Sequence, residues 1–579
     1  MFFLLIFLTN GDSTAVDSVI TYEIPDIVET SGEIYPVGEI TVSYDDQTTI
    51  DLLMDLPFTP LSYGYSLWGT VMNKGLKPSY THISVNGHPL HVHPFGYFNL
   101  GILPLHFYDV VTFGRTVGGA EFSGLNFASK INRYESPYSL AHFMFGSFES
   151  NTYGFDLTRA ITNDFGFYLS GSYHKINGHR ENTDAQILSV YSNIYVNYLL
   201  PMRFDILYAK DDYGFPGSTV MPVEGRQKDE FLDISGMISL GKGVLTLFYE
   251  RQTMAYRDTL NDRTWGVKVD HFGTRAEGND TLLGISLDYG ASAFLTLREG
   301  ESYLPDILHG FDLWIRVART FGRGFVRAAG KLERSSSDDL FLFPGFELGM
   351  NILGSTAAYV ALSSDGRSPS DMEKWAPLDT LNPYLMVRGN EFLNPEHYWC
   401  GEVGLRGDGF TFSLYRLTFT DYIKVFPEMY GHYIYYNIDT WEIQGIEGFV
   451  KLPLRSYNAD SSKMIEFSVG LRGNVIMNQD TVTYFPGVSA GAFAAFRRDT
   501  PRFGFGLSLR AEHSSETYDI SGTEYPGYTI FSVAGLVKFM GLSCVLRLNN
   551  FFDEDYAYVP FYPMPPRNFS VSVKWEFWD

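Results

Sequence analysis

The stretch LNNFFDEDYAYVPFYPMPPRNF, Leu548 to Phe569, followed by SVSVKWEFWD to Asp579, decides the fold. From Phe569 on, residues alternate strictly. Phe569, Val571, Val573, Trp575 and Phe577 share one face, and Ser570, Ser572, Lys574 and Glu576 the other. That period of two predicts a strand with one apolar and one polar side. An aromatic-rich outer face on a terminal strand suits a transmembrane β-barrel.

The rest of the chain supports this reading. Of its 579 residues only 19% are charged, whereas aromatics reach 16%, with 47 Phe and 39 Tyr, an excess that fits girdles of rings between lipid and water. Mean hydropathy is −0.08, and beyond the N-terminus no run approaches the roughly 18 apolar residues of a spanning helix. The net charge of −24 argues against a nucleic-acid partner, which demands clustered Lys and Arg. Cys400 and Cys544, the two cysteines, have no metal or framework spacing and read as small apolar residues of strands.

Beyond residue 132, alternating stretches follow one another with turn signals between them. Tyr153, Phe155 and Leu157 alternate with Gly154, Asp156 and Thr158. Met202, Phe204, Ile206 and Tyr208 stand opposite Arg203 and Asp205, and Trp265, Val267 and Val269 opposite Gly266, Lys268 and Asp270. Leu283, Ile285, Leu287 and Tyr289 make another such set. In a barrel the apolar members are expected to face lipid and the polar members the lumen. A soluble sandwich has the same period, but about 450 residues of hairpins would normally split into domains. Long polar connections are expected at Asn177 to Asp184, Asp211 to Gln227, Ser363 to Tyr398 and Ser514 to Gly527, with a tight turn at Arg497 to Pro501. Long loops on one rim, facing outward, and short turns on the other are the asymmetry of outer-membrane barrels. The N-terminus, MFFLLIFLTNGDSTA, has a short apolar core and small residues before a cleavage after Ala15, the pattern of a signal peptide without its basic start.

Several segments resemble TonB-dependent outer-membrane receptors. Asn550, Phe551, Phe552, Asp553, Tyr556 and Pro565-Pro566-Arg567-Asn568-Phe569 are similar to that family's closing hairpin, with Pro566 where Gly is usual. NEFLNPEHYWCGEVGLRG (Asn390 to Gly407), YYNIDTWEIQGIEGFV (Tyr435 to Val450) and YPGYTIFSV (Tyr525 to Val533) resemble successive barrel segments, in the family's order. TTIDLLMDLPF (Thr48 to Phe58), ISVNGHPL (Ile83 to Leu90), FYDVVTFG (Phe107 to Gly114) and GLNFASK (Gly124 to Lys130) resemble its plug, and Asn86-Gly87 is in its own right a tight-turn signal. The resemblance implies an all-β membrane protein, an antiparallel barrel of 22 strands with a small mixed α/β plug in its lumen. The expected division is a signal peptide at 1–15, a periplasmic leader at 16–40, a plug at 41–132 and a barrel at 133–579.

Function follows as expectation. The resemblance implies an outer-membrane receptor of a Gram-negative-type bacterium, importing a scarce nutrient: a ferric chelate, cobalamin, a metal complex or an oligosaccharide. TonB is the expected partner, pairing as an added strand with Asp26, Ile27, Val28, Glu29 and Thr30 within YEIPDIVET, with Asp17 to Thr21 a second candidate. Outer-membrane lipid, the barrel-insertion machinery at the C-terminal strand and a small-molecule ligand complete the partners. No cofactor is expected. The alternative is a plugged but non-energised surface-binding or structural barrel. His88, His91 and His93 in NGHPLHVHP are candidate ligand-binding residues: on a strand the latter two point the same way, and imidazoles within that reach suit Zn²⁺, Cu²⁺ or Ni²⁺. The plainer reading is polar histidines on a hydrated plug surface. GVSAG (Gly487 to Gly491) has the Gly-x-Ser-x-Gly spacing of serine hydrolases, but it lies in an alternating stretch without the sharp strand-to-helix turn that chemistry needs, so no enzyme is expected.

Overall fold

The computed structural model describes residues 34–578 except 42–47, 63–68, 91–95, 118, 131–136, 163, 218, 220–221, 260–262, 301–302, 336–339, 376–385, 428–431, 458–463, 479–483, 501 and 520–521. The expected signal peptide and the coupling residues Asp26, Ile27, Val28, Glu29 and Thr30 therefore lie outside the described residues, as do His91 and His93.

The N-terminal part is a mixed sheet. Its strands are β1 (Ile34–Thr41), β4 (His82–Val85), β5 (His88–Pro89), β6 (Tyr108–Thr116) and β7 (Gly124–Ser129), in the order β1-β6-β7-β4-β5. Strands β4 and β7 run parallel and the other pairs antiparallel. A small hairpin of β2 (Thr59–Ser62) and β3 (Gly69–Met72) and one short helix, α1 (Thr49–Leu53), complete it. Thr48 caps α1: its hydroxyl accepts from the Asp51 N–H while the Asp51 carboxylate accepts from the Thr48 N–H. Each satisfies a backbone donor that a helix start leaves unpaired. Between β4 and β5 the turn sits at Asn86 (φ 51°) and Gly87 (φ 82°), the positive-φ pair that an Asn-Gly sequence tolerates.

Around this domain closes a 22-strand antiparallel barrel. It begins at Tyr138–Gly146 and ends at Asn568–Trp578, and these two strands pair with each other, from Ser570 opposite Gly146 to Trp578 opposite Tyr138. The opening sequence thus forms the seam of the barrel. Phe569 and Trp575 are 46% and 56% exposed on its outside, while Ser570 and Ser572 are buried inside. Connections differ between the rims. Those between Thr162 and Phe165, Leu240 and Gly243, Leu282 and Ile285, Phe321 and Gly324, and Phe539 and Leu542 hold only two residues, whereas the long connections 368–395, 515–527 and 550–567 all join strand ends of the other rim.

Two expectations are corrected. Asp211 to Gln227 is not a long loop: Pro201–Gly217 and Pro222–Leu240 continue pairing above the wall, because the alternation persists through those charged residues. Trp265, Val267 and Val269 face inward, not toward lipid, where they join an aromatic cluster with Tyr213, Phe215, Tyr256 and Tyr562 under the long-loop rim. Period two gives two faces but not their side; the apolar filling of the lumen at that height decides it. At Tyr153, Phe155, Phe204 and Ile206, exposed, and at Asp156, Arg203 and Asp205, buried, the sides follow the pattern, while Leu283 lies in the turn that precedes Ile285. Cys400 is buried and Cys544 exposed on separate strands, and both are free thiols.

The plug's own core is Leu52, Leu53, Leu56, Phe58, Phe107, Phe113, Phe122 and Phe127, and it runs without a break into Tyr168, Tyr191, Leu207 and Phe231 of the wall. Each such side chain contributes about 1.5–3 kcal/mol when fully buried. The plug is therefore seated by packing as well as by charge.

Candidate functional site

The site is the seam between plug and wall, built by polar groups at several heights. At the Asn86-Gly87 turn, the Asn86 side chain accepts from the Ser129 N–H (2.9 Å) and donates to Tyr191 Oη (2.5 Å) and Asp205 (3.3 Å). Asp205 also accepts from Asn193 (2.6 Å) and pairs with Arg203 (3.0 Å), whose guanidinium reaches Ser129 of the plug at 3.0 Å. Next to it, His88 leaves β5 and inserts between two wall strands. Its Nε2 lies 3.1 Å from Asp233 and 3.3 Å from Glu250. Burial alone would push this imidazole down, but the two carboxylates, Asp233 foremost, outweigh it and raise its pKa to about 10.

A second cluster sits at the turn after β3. Lys74, fully buried, pairs with Glu402 and with Glu447 (2.6 Å), and Arg115 of β6 bridges Glu402 and Glu121 (3.2 Å). Burial opposes the Lys74 charge, yet Glu402 and Glu447 more than compensate, and its pKa rises. Glu402 and Glu447 come from the strands Glu396–Gly407 and His432–Tyr457, so this cluster ties the plug to two parts of the wall.

Three residues further, Lys77 contacts Glu396 (2.8 Å) and Glu373 (3.7 Å) and donates to the Ile423 carbonyl (2.6 Å). Glu373 belongs to a helix, α2 (Asp371–Trp375), within the long connection 368–395. Arg367 grips Glu373 with two nitrogens at 2.6 and 2.7 Å and reaches Glu396 at 2.5 Å. Burial would raise the Glu373 pKa, but Arg367 and then Lys77 hold it down at about 2. For Lys77 burial prevails, helped by Arg367, and its pKa falls. A long connection, the plug and the wall thus share one ionic group.

Elsewhere on the plug, Asp51 of α1 receives Arg547 at 3.0 and 3.2 Å, and Asp55 lies 3.3 Å from Lys451. Burial would raise the Asp51 pKa, but Arg547 and Arg510 bring it below the usual range. A cavity of about 260 Å³ runs between α1, residues 100–106, the wall near Met144, Thr152 and Arg510, and Tyr556 of the connection 550–567. His106, His142 and His174 line it. Burial lowers the His106 pKa to about 4, which keeps that ring neutral near pH 7.

Of the candidate histidines, the structure places His88 in the seam, buried, rather than on a hydrated surface. Sequence reasoning missed Lys74, Arg115, Asp233 and Glu250. The signal for the wall residues was present: an acidic residue on the inward parity of a strand needs a cation or an imidazole to face it once buried. Ser489 of GVSAG is the second residue of the strand Val488–Asp499, 3.2 Å from Arg472, with no turn into a helix.

The barrel is filled by its own N-terminal domain, which buried ion pairs tie to the wall. Residues 84–550 match the family described as TonB dependent receptor-like, beta-barrel, and the chain belongs to that family, one of outer-membrane transport receptors and not of enzymes. No curated protein matches the chain by sequence. Among solved structures, it is similar to the siderophore receptor PirA from Acinetobacter baumannii at TM-score 0.72 and 12% identity, over 94% of this chain and 98% of that one. The ferric enterobactin receptor PfeA from Pseudomonas aeruginosa, as its G324V mutant, gives 0.72 at 14% over 95% and 100% of the two chains. The copper transporter OprC gives 0.73 at 14% over 96% and 100%. At these identities the likeness concerns the fold.

Proposed function

We propose that the chain is a TonB-coupled importer of a metal complex, with an anionic ferric chelate as the favoured cargo. One observation carries this reading: the ionic group at Lys77 joins the outer connection 368–395 to the same plug segment that carries the buried Lys74 clamp. A ligand that shifts α2 changes the partners of Lys77, and Lys77 lies three residues from the clamp. Coupling between sites needs such an element with two arrangements.

The cargo class is supported by the rings and cations below the long-loop rim. Tyr422 and Trp441 stack at 5.6 Å and 2°, Lys424 lies 4.2 Å over Trp441, and Lys77 lies 4.5 Å over Tyr422. Flat aromatic surfaces with cations suit an anionic, ring-bearing chelate. Two of the similar structures are siderophore receptors and one is a copper transporter, which agrees with a metal cargo. Energy enters through Asp26 to Thr30 pairing with TonB as an added strand. The exposed outer band, including Phe143, Tyr153, Phe155 and Leu348, meets outer-membrane lipid, and the strand Asn568–Trp578 is what the insertion machinery recognises.

The test is accumulation of radioiron from catecholate and hydroxamate chelates, and of radiocopper, by cells whose other receptors of this family are deleted. Uptake of one of these through the expressed chain is expected. If the chain reaches the surface and none accumulates, the metal-cargo reading fails.

A further inference from the structure

His88, Asp233 and Glu250 meet in a geometry that a hydrogen bond does not explain. Asp233 and Glu250 are direct cross-strand partners on Pro222–Leu240 and Gly243–Asp258, and both face the same ring nitrogen of His88. A single N–H can be aimed well at only one acceptor. The nitrogen–oxygen separations of 3.1 and 3.3 Å are instead close to the edge, about 3.3 Å, of a tetrahedron whose centre lies about 2.0 Å from each ligand. All three residues are buried, at 2%, 3% and 4% exposure, and their ligand atoms lie within 4.8 Å of one another.

The surroundings suit an ion at that centre as well, since the site is buried on every side. The neighbouring Asp205 is already paired with Arg203 and does not draw on this group. The Phe248 ring, 4.9 Å from that of His88, covers one side and keeps the surroundings apolar.

We propose that His88, Asp233 and Glu250 bind one first-row divalent cation of the zinc type, which staples the plug's β4–β5 hairpin to two strands of the wall. One imidazole and two carboxylates suit such an ion. Mg²⁺ and Ca²⁺ prefer all-oxygen shells, and Cu⁺ prefers sulfur. Because one ligand comes from the plug and two from the barrel, the ion binds only the seated plug. At a hundredfold excess over Kd it multiplies the seated-to-unseated ratio about a hundredfold. Binding stands on this geometry alone; only its part in gating rests on the importer reading.

The experiment uses full-length protein in detergent, stripped with chelator and titrated with Zn²⁺ by calorimetry and with Co²⁺ by visible absorption. One saturable site per chain is expected, with the Co²⁺ band of a tetrahedral nitrogen–oxygen shell in unaltered protein. His88→Gln and Glu250→Gln weaken the site at least a hundredfold, while His513→Gln, in a different strand near the long-loop rim, retains it. Zn²⁺ also slows amide exchange at residues 82–90 by about the factor given above. The proposal is overturned if unaltered protein shows no saturable site, if the site survives His88→Gln, or if exchange at 82–90 ignores the ion. If the ion binds as described yet its removal leaves uptake unchanged, the site stands and its gating role falls. Absence of uptake with the site intact counts against the importer alone.

Discussion

Glu402→Gln is the substitution that weighs the clamp most directly. Glu402 is the carboxylate shared by Lys74 and Arg115, and all three groups are buried or nearly so. The amide keeps the shape and removes the charge, leaving Lys74 with Glu447 and Arg115 with Glu121. Breaking a buried ion pair from one side costs about 3–5 kcal/mol. At about 1.4 kcal/mol per tenfold, the unseated plug becomes roughly a hundredfold to a few thousandfold more populated. Hydrogen exchange of β6 (Tyr108–Thr116) reads that population, because its amides exchange when the plug opens. The control is Lys242→Ala, which removes a pair with Asp280 on the short-turn rim whose side chains are 71% and 48% exposed. Solvent screens so exposed a pair, and it touches no plug residue, so exchange in β6 stays at the level of the unaltered protein. If Glu402→Gln leaves β6 exchange at the control's level, the clamp does not hold the plug and the reasoning is wrong.

Other outcomes follow from the same contacts. Phe122→Ala, which empties a site stacked on Phe113 at 5.3 Å, lowers plug stability by about 3–5 kcal/mol in denaturant melts; a loss below 1 kcal/mol contradicts the shared core. Glu373 has a folded pKa of about 2 against an ordinary value of 4.5, so its contribution is complete above about pH 4.5 and is lost as the pH falls toward 2. Exchange at 371–375, corrected for intrinsic rate, should rise over that window and stay flat in Glu373→Gln. A lipid-soluble maleimide should label one thiol in native protein, and Cys544→Ser should abolish it, since Cys400 is buried; labelling of Cys400 would mean the wall is turned the other way.

Strand existence, the Asn86-Gly87 turn and the closing strand were legible in sequence because local chemistry sets them. Phe569 to Phe577 need only a period of two, and Asn86-Gly87 only two residues that accept positive φ. Sidedness at Trp265 to Val269 was not legible, since it depends on what fills the lumen there. The site was half legible. His88 stood out as an imidazole beside a tight turn, but Asp233 and Glu250 lie 145 and 162 positions away, and only barrel closure brings them to it. Lys74 gave no signal, being one lysine beside Gly75 in a short turn whose partners sit on distant strands.

Energised passage past a seated plug is the central claim, and one uptake measurement bears on it most directly. Cells carrying the chain are offered whichever radiolabelled metal complex it accumulates, with and without a protonophore, alongside a variant lacking residues 17–30. The account predicts that surface binding persists in every case while accumulation stops both with the protonophore and with the deletion. Accumulation that continues undiminished in either condition would show that the plug needs no coupling to open, and would contradict the account.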